Sequence, residues 1–161
     1  MKVSVCLSAM LCCGMLIGAE VLKVGDAAPD VSAIDEAGNA VKLASFKGKN
    51  GVVVFFYPKA DTPGCTKESC GFRDESAAYT AKGYVVFGAS RDTPEAQKAF
   101  KEKFKLNYSL LSDPKGEMAT AFGFKPGARS TIVIDKDGKV EKVIEKAGTE
   151  THAKELLGEL K

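Results

Sequence analysis

An α/β domain with a mixed central sheet flanked by helices follows from three features of the sequence. Two runs, GVVVFFYP (Gly51–Pro58) and YVVFGAS (Tyr84–Ser90), are β-branched and aromatic without polar alternation, the pattern of strands buried on both faces. After each run a Thr-Pro pair, Thr62-Pro63 or Thr93-Pro94, opens a stretch with helical character. Near the C-terminus, RSTIVIDKDGKVEKVIE sets Asp137-Gly138 between two alternating segments, which reads as a β-hairpin. Strand, helix, strand, helix, hairpin and a last helix make a layered α/β domain. With 161 residues the chain suits a single domain able to bury a real core without a metal or disulfide.

In chain order, residues 1–19 stand apart. Lys2 is followed by an uncharged, mostly apolar run from Val3 to Ile17, then Gly18 and Ala19, with polar sequence starting at Glu20. That order matches a secretory signal peptide cut after Ala19, leaving residues 20–161 as the domain of an exported protein, periplasmic or extracellular. An uncleaved membrane anchor and an organelle-targeting segment are the other readings, although the second calls for Arg and Ser richness that is missing here. No Leu-x-small-Cys pattern marks Cys12 or Cys13 for lipid attachment.

Glu20–Pro29 reads as an entry segment. VSAIDEAGNAVKL is two short alternating runs around Gly38-Asn39, a hairpin signal. The first central strand follows at Gly51–Pro58, then a helix from about Pro63 to Lys82, and the second central strand at Tyr84–Ser90. DTPEAQKAFKEKF starts a helix with Thr93 as cap, Pro94 in the first helical position and Glu95 beside the positive dipole end. SLLSD reads as a third strand, KGEMATAFG as a short helix, and TETHAKELLGELK as the closing helix.

Charge excludes little but is informative. Lys plus Arg number 23 against 21 Asp plus Glu, so no imbalance points to nucleic acid or to an acidic surface. Of five cysteines, Cys6, Cys12 and Cys13 lie in the leader, and the domain keeps Cys65 and Cys70.

Cys65 falls in the first turn of the helix that Thr62 caps. Free backbone N–H groups and the positive dipole end favour an anion there, and the thiolate is the nucleophilic form of cysteine. Gly64, without a side chain, leaves room for a small substrate to approach the backbone. Cys70 lies five residues on, with its Cα about 8–9 Å away on a different helix face. A disulfide needs Cα atoms within roughly 7 Å, so the pair bonds only if the helix start unwinds. A transiently reacting pair fits this geometry. A static staple is the plain alternative, although so short a loop constrains little. Zinc would need two ligands beyond the cysteines, and the single histidine, His152, reads as a solvated surface residue of the last helix. A thiol–disulfide exchange enzyme would favour Cys-x-x-Cys over this spacing.

PKADTPGC, Pro58 to Cys65, resembles the Pro-x-x-x-Thr-x-x-Cys signature of peroxiredoxins, and TPGCTKESCGFRD is similar to the peroxiredoxin Q, or bacterioferritin comigratory protein, branch. ASRDTPEAQKAFKEKFKLNYSLLSD and RSTIVIDKDGKV extend the likeness over nearly all of Val24 to Leu160. The resemblance implies a thioredoxin-like fold and a thiol peroxidase that reduces hydrogen peroxide or organic hydroperoxides without metal, haem, flavin or other cofactor. It implies that Cys65 attacks the peroxide as thiolate and becomes a sulfenic acid, and that Cys70 resolves it to a disulfide. Thr62 would position the peroxide with its hydroxyl, Pro58 would shield the thiolate, and Arg129 would stabilise thiolate and leaving oxygen. Arg73 reads as a structural salt-bridge former. Glu68 reads as a solvated first-turn acid, although the family pattern also carries an acid there.

Two departures stand out. The loop GFKPGARS before Arg129 is shorter than in many relatives, and the leader would place the enzyme away from cytosolic thioredoxin. The expected partners are therefore a peroxide and a thioredoxin-like dithiol reductant, with no nucleic acid and no stable membrane association. A monomer or weak dimer is expected. The rival functions are a thiol–disulfide oxidoreductase acting on protein thiols and a redox-switched chaperone or binding module.

Overall fold

A computed structural model describes residues 20–161, so the leader lies outside the described residues. Seven strands form one sheet in the order β2-β1-β5-β4-β3-β6-β7. The elements run β1 (Ser32–Asp35), β2 (Ala40–Lys42), a 3₁₀ turn (Leu43–Phe46), β3 (Gly51–Phe56), α1 (Pro63–Ala81), β4 (Tyr84–Ser90), α2 (Pro94–Phe104), β5 (Ser109–Ser112), α3 (Glu117–Ala121), β6 (Ser130–Ile134), β7 (Val140–Ile144) and α4 (His152–Glu159). β3, β4 and β5 pair in parallel, as the two helical crossovers require, and the hairpins β1–β2 and β6–β7 add antiparallel margins. This is the mixed α/β sheet expected from the sequence.

All six residues of β3 are buried, because β3 lies between β4 and β6 with both faces covered. Its odd-numbered side chains, Val53 and Phe55, enter the core under α1, α2 and α4, together with Tyr57, Phe72, Tyr79, Phe100, Leu110 and Leu156. Its even-numbered side chains, Val52, Val54 and Phe56, enter a second core with Phe87, Leu111, Phe122, Phe124 and Ile132 on the α3 side. β4 is almost as enclosed, with only Val85 partly exposed. Gly88 is required in β4: a Cβ there would stand 2.8 Å from Leu110 and 2.9 Å from Phe55 side-chain atoms.

The helix signals hold unevenly. Thr93 Oγ1 accepts the Ala96 N–H at 3.3 Å, a true cap of α2. Thr62 occupies the N-cap position of α1 with extended backbone, but its hydroxyl donates to the Lys59 carbonyl at 2.9 Å instead of capping. The loop before it is pinned otherwise. Asp92 accepts the Ala60 N–H at 2.8 Å, and Asp61, in a left-handed conformation (φ 59), pairs with Lys103 of α2. At the far end Gly83 (φ 83) takes the left-handed turn that stops α1 and starts β4.

Candidate active site

The end of β3 delivers the chain to α1, and the loop ahead of β6 approaches from the opposite side. The first ladder bond of α1 runs from Thr66 N–H to the Thr62 carbonyl at 2.8 Å, so Gly64 and Cys65 sit ahead of it in the first turn. Cys65 is 1% exposed. Arg129 reaches across from the residue before β6, and its Nη2 stands 3.3 Å from the Cys65 sulfur. The guanidinium thus lies against the sulfur at the N-terminal end of α1.

Space over Gly64 is used differently from the sequence expectation. A Cβ there would lie 3.3 Å from Arg129 Nη2 and 3.5 Å from Thr149 Cγ2. The missing side chain thus makes room for Arg129, not for an open approach to the backbone. A recess beside Arg129, lined by Val21, Phe124, Lys125, Ala128, Glu145 and Lys146, provides its solvent side. Pro58 is exposed directly after β3, and Thr62 is half-buried between it and the helix.

Glu68 corrects the sequence reading. It is fully buried, with Oε2 accepting a hydrogen bond from Arg129 Nη1. Three residues after Cys65, it shares the helix face that turns to the sheet. Burial pushes its carboxyl up to about 8, and the Arg129 guanidinium pulls the other way without overcoming it. Its second oxygen, Oε1, is buried without a hydrogen-bond partner. His152 is the other correction. Only 4% exposed, it lies 4.0 Å from Glu68 Oε1 through Nε2 and shares a 2.9 Å hydrogen bond with Thr131 Oγ1. Burial holds its pKa below the usual histidine value. It is buried because it starts α4 in register with Leu156 and Leu160, both of them buried, four and eight residues on.

Cys70 is half-buried and, like Cys65, a free thiol, and α1 is continuous through both. The 19-residue helix imposes the Cα separation that forbids a bond. Arg73 behaves as expected, pairing with Asp74 at 2.8 Å and donating to the Phe104 carbonyl at 2.8 Å. Thus Cys65, Arg129 and Glu68 converge with His152 behind them, while Cys70, Thr62 and Pro58 lie on the same helix start and loop without joining that hydrogen-bonded cluster.

Residues 24–143 match the model of the AhpC/TSA family. The peroxiredoxin bcp1 of Schizosaccharomyces pombe is 50% identical over 120 residues, which take in 71% of this chain and 62% of that protein, so its length goes well beyond the match. The peroxiredoxin Bcp of Escherichia coli is 40% identical over 151 residues, covering 87% of this chain and 96% of that one. The crystal structure of peroxidoxin BcpB from Mycobacterium tuberculosis superimposes with a TM-score of 0.81 at 38% identity, over 86% of this chain and 96% of that chain.

Proposed function

The chain belongs to the AhpC/TSA family, in its peroxiredoxin Q branch, and is a thiol-dependent peroxidase; we propose that its cycle runs through Cys65 as the attacking thiolate and Cys70 as the resolving thiol. The observation that carries this reading is the Arg129 guanidinium 3.3 Å from the sulfur of a cysteine in the first turn of α1. The Cys65 sulfur attacks one peroxide oxygen, the O–O bond breaks, and the departing oxygen leaves as water or alcohol after taking up a proton. Arg129 steadies the negative charge on both sides of that step. Cys65 is left as a sulfenic acid. The Cys70 sulfur attacks the Cys65 sulfur, an S–S bond forms as the S–O bond breaks, and the Cys70 thiol proton goes to the departing hydroxide, which leaves as water. A thioredoxin-like dithiol then restores both thiols and is itself oxidised.

Thr62 and Pro58 support the reaction by place: Thr62 lies three residues before Cys65 with its hydroxyl on the loop, and Pro58 sits where β3 gives way to that loop. A buried sulfur favours hydrogen peroxide or an end-on hydroperoxide over a bulky one. The chain works as a monomer or weak dimer, exported by residues 1–19. No helix among the described residues is long and apolar enough to cross a membrane. Peroxide consumption by residues 20–161 with a dithiol reductant tests the reading. A second-order constant far above that of a free thiol is expected, larger for hydrogen peroxide than for a bulky hydroperoxide. A rate no faster than a free thiol would favour the exchange enzyme or the redox-switched binding module. N-terminal sequencing of protein from its native host should start at or near Glu20, and soluble protein beginning at Met1 or Lys2 would contradict export.

A further inference from the structure

Glu68 grips Arg129 with one oxygen, but its other oxygen is buried and unpartnered. A buried acceptor left without a partner is destabilising where it persists. His152 Nε2 stands 4.0 Å from that oxygen and is held by Thr131 Oγ1 at 2.9 Å. Closing that gap to hydrogen-bond distance takes a shift of roughly 1 Å. The edge of the His152 ring is braced by Phe72, centroids 5.5 Å apart at 80°, so its reach is set by packing from both α1 and β6.

We propose that His152 is a positioning residue of the peroxidase reaction: its Nε2 gives up Thr131 Oγ1 and accepts a hydrogen bond from the Oε1 hydroxyl of Glu68, which holds Oε2 on Arg129, and Arg129 on the Cys65 sulfur. This rests on the assignment of Cys65 as the attacking thiolate. The groups that act on the pair are few. Arg129 faces both partners, Cys65 lies one turn earlier on α1, Tyr108 faces Glu68 from the loop before β5, and Glu155 and Glu159 act on His152 from its own helix. Glu68 also lies between Cys65 and Cys70. When the helix start unwinds for the disulfide, Glu68 leaves His152, so the pair exists in the reduced form and is broken in the oxidised one.

Two substitutions separate positioning from packing. His152→Gln carries an amide to the place of Nε2, whereas His152→Phe keeps a ring against Phe72 with no polar atom. The second-order constant for hydrogen peroxide should stay within about 3-fold of wild type for His152→Gln and drop about 10-fold or more for His152→Phe. A His152→Phe enzyme at the wild-type rate, or equal losses in both variants, would overturn the proposal. Because the chain has one histidine, its ring is readable by NMR whether or not His152→Phe folds. In reduced protein the His152 titration midpoint should move up in Glu68→Leu, which removes the hydroxyl that bonds the neutral ring nitrogen. Coincident midpoints would also overturn the pairing. If wild-type protein consumed no peroxide, the peroxidase reading would fall, while the ring titration would still judge the pair.

Discussion

From Phe72 to Ala81, α1 is held by aromatic packing, whereas from Pro63 to Cys70 it is held by polar contacts that are incompletely satisfied. In the later half Phe72 stacks on Phe55 at 4.2 Å, Tyr79 packs on Phe72, and the Tyr79 hydroxyl donates to the Ala153 carbonyl at 2.7 Å. In the earlier half the Thr62 hydroxyl does not cap the helix and the first turn carries no acid. Glu68 Oε1 and Ser69 Oγ are buried without partners there. What fastens that half is Arg129 on Cys65 and Glu68, plus the Tyr108 hydroxyl on the Ser69 carbonyl at 2.7 Å. The front of α1 is thus tied mainly by polar contacts and its back by apolar ones. Local opening is easier where few apolar contacts must be lost, and the proposed Cys65–Cys70 disulfide needs such opening at the front.

Removing the two thiols of the front should have the largest effect. Cys65→Ser should abolish peroxide turnover. Cys70→Ser should allow one oxidation and leave a sulfenic acid that a trapping reagent labels. Turnover in Cys65→Ser would move the chemistry elsewhere.

In the back half the expected effect is on stability. Phe72→Ala should cost about 3–5 kcal/mol, read from denaturant unfolding, because it empties a fully enclosed ring site. Ser69→Ala in the front removes an unpartnered buried hydroxyl and should change stability little or raise it. Comparable losses in the two would erase the distinction.

Arg129 links the front to β6. Arg129→Lys keeps the charge but loses the planar fork that serves Cys65 and Glu68 together. The peroxide rate constant should fall about 10-fold, or about 1.4 kcal/mol of barrier. An unchanged constant would assign the role to another group.

Most of the fold was legible because its signals are local. The unbroken apolar runs of β3 and β4, the Thr-Pro starts and the Asp137-Gly138 turn each specify their element without knowledge of the rest. Cys65 and Arg129, which meet in the structure, were named from the family likeness, as was Cys70, which does not join them. The burial of Glu68 and His152 was not legible, since burying a charged residue depends on partners brought together from three separate elements. A trace of them was present. Positions 65, 68, 69, 72 and 79 of α1 are its buried stripe, and helical spacing from Phe72 and Tyr79 places Glu68 inside it. Cys, Glu and Ser within the stripe hide it from a reading based on hydrophobicity.

The smallest effect concerns pH. Folding raises the Glu68 carboxyl from its ordinary 4.5 to about 8. Such a group contributes stability present in full below about 4.5 and lost as pH rises through about 8. Glu68→Gln should flatten the decline of stability across that window, measured by chemical denaturation at several pH values. Identical slopes in variant and wild type would show that Glu68 takes up no extra proton on folding.

Hydrogen exchange reads whether the front of α1 unwinds while its back stays docked. Oxidation to the Cys65–Cys70 disulfide should remove amide protection between about Pro63 and Asp74 and leave it at Tyr79, with reduction restoring it. Greater protection of residues 63–74 in the oxidised protein than in the reduced protein would show that the front does not unwind to form the disulfide.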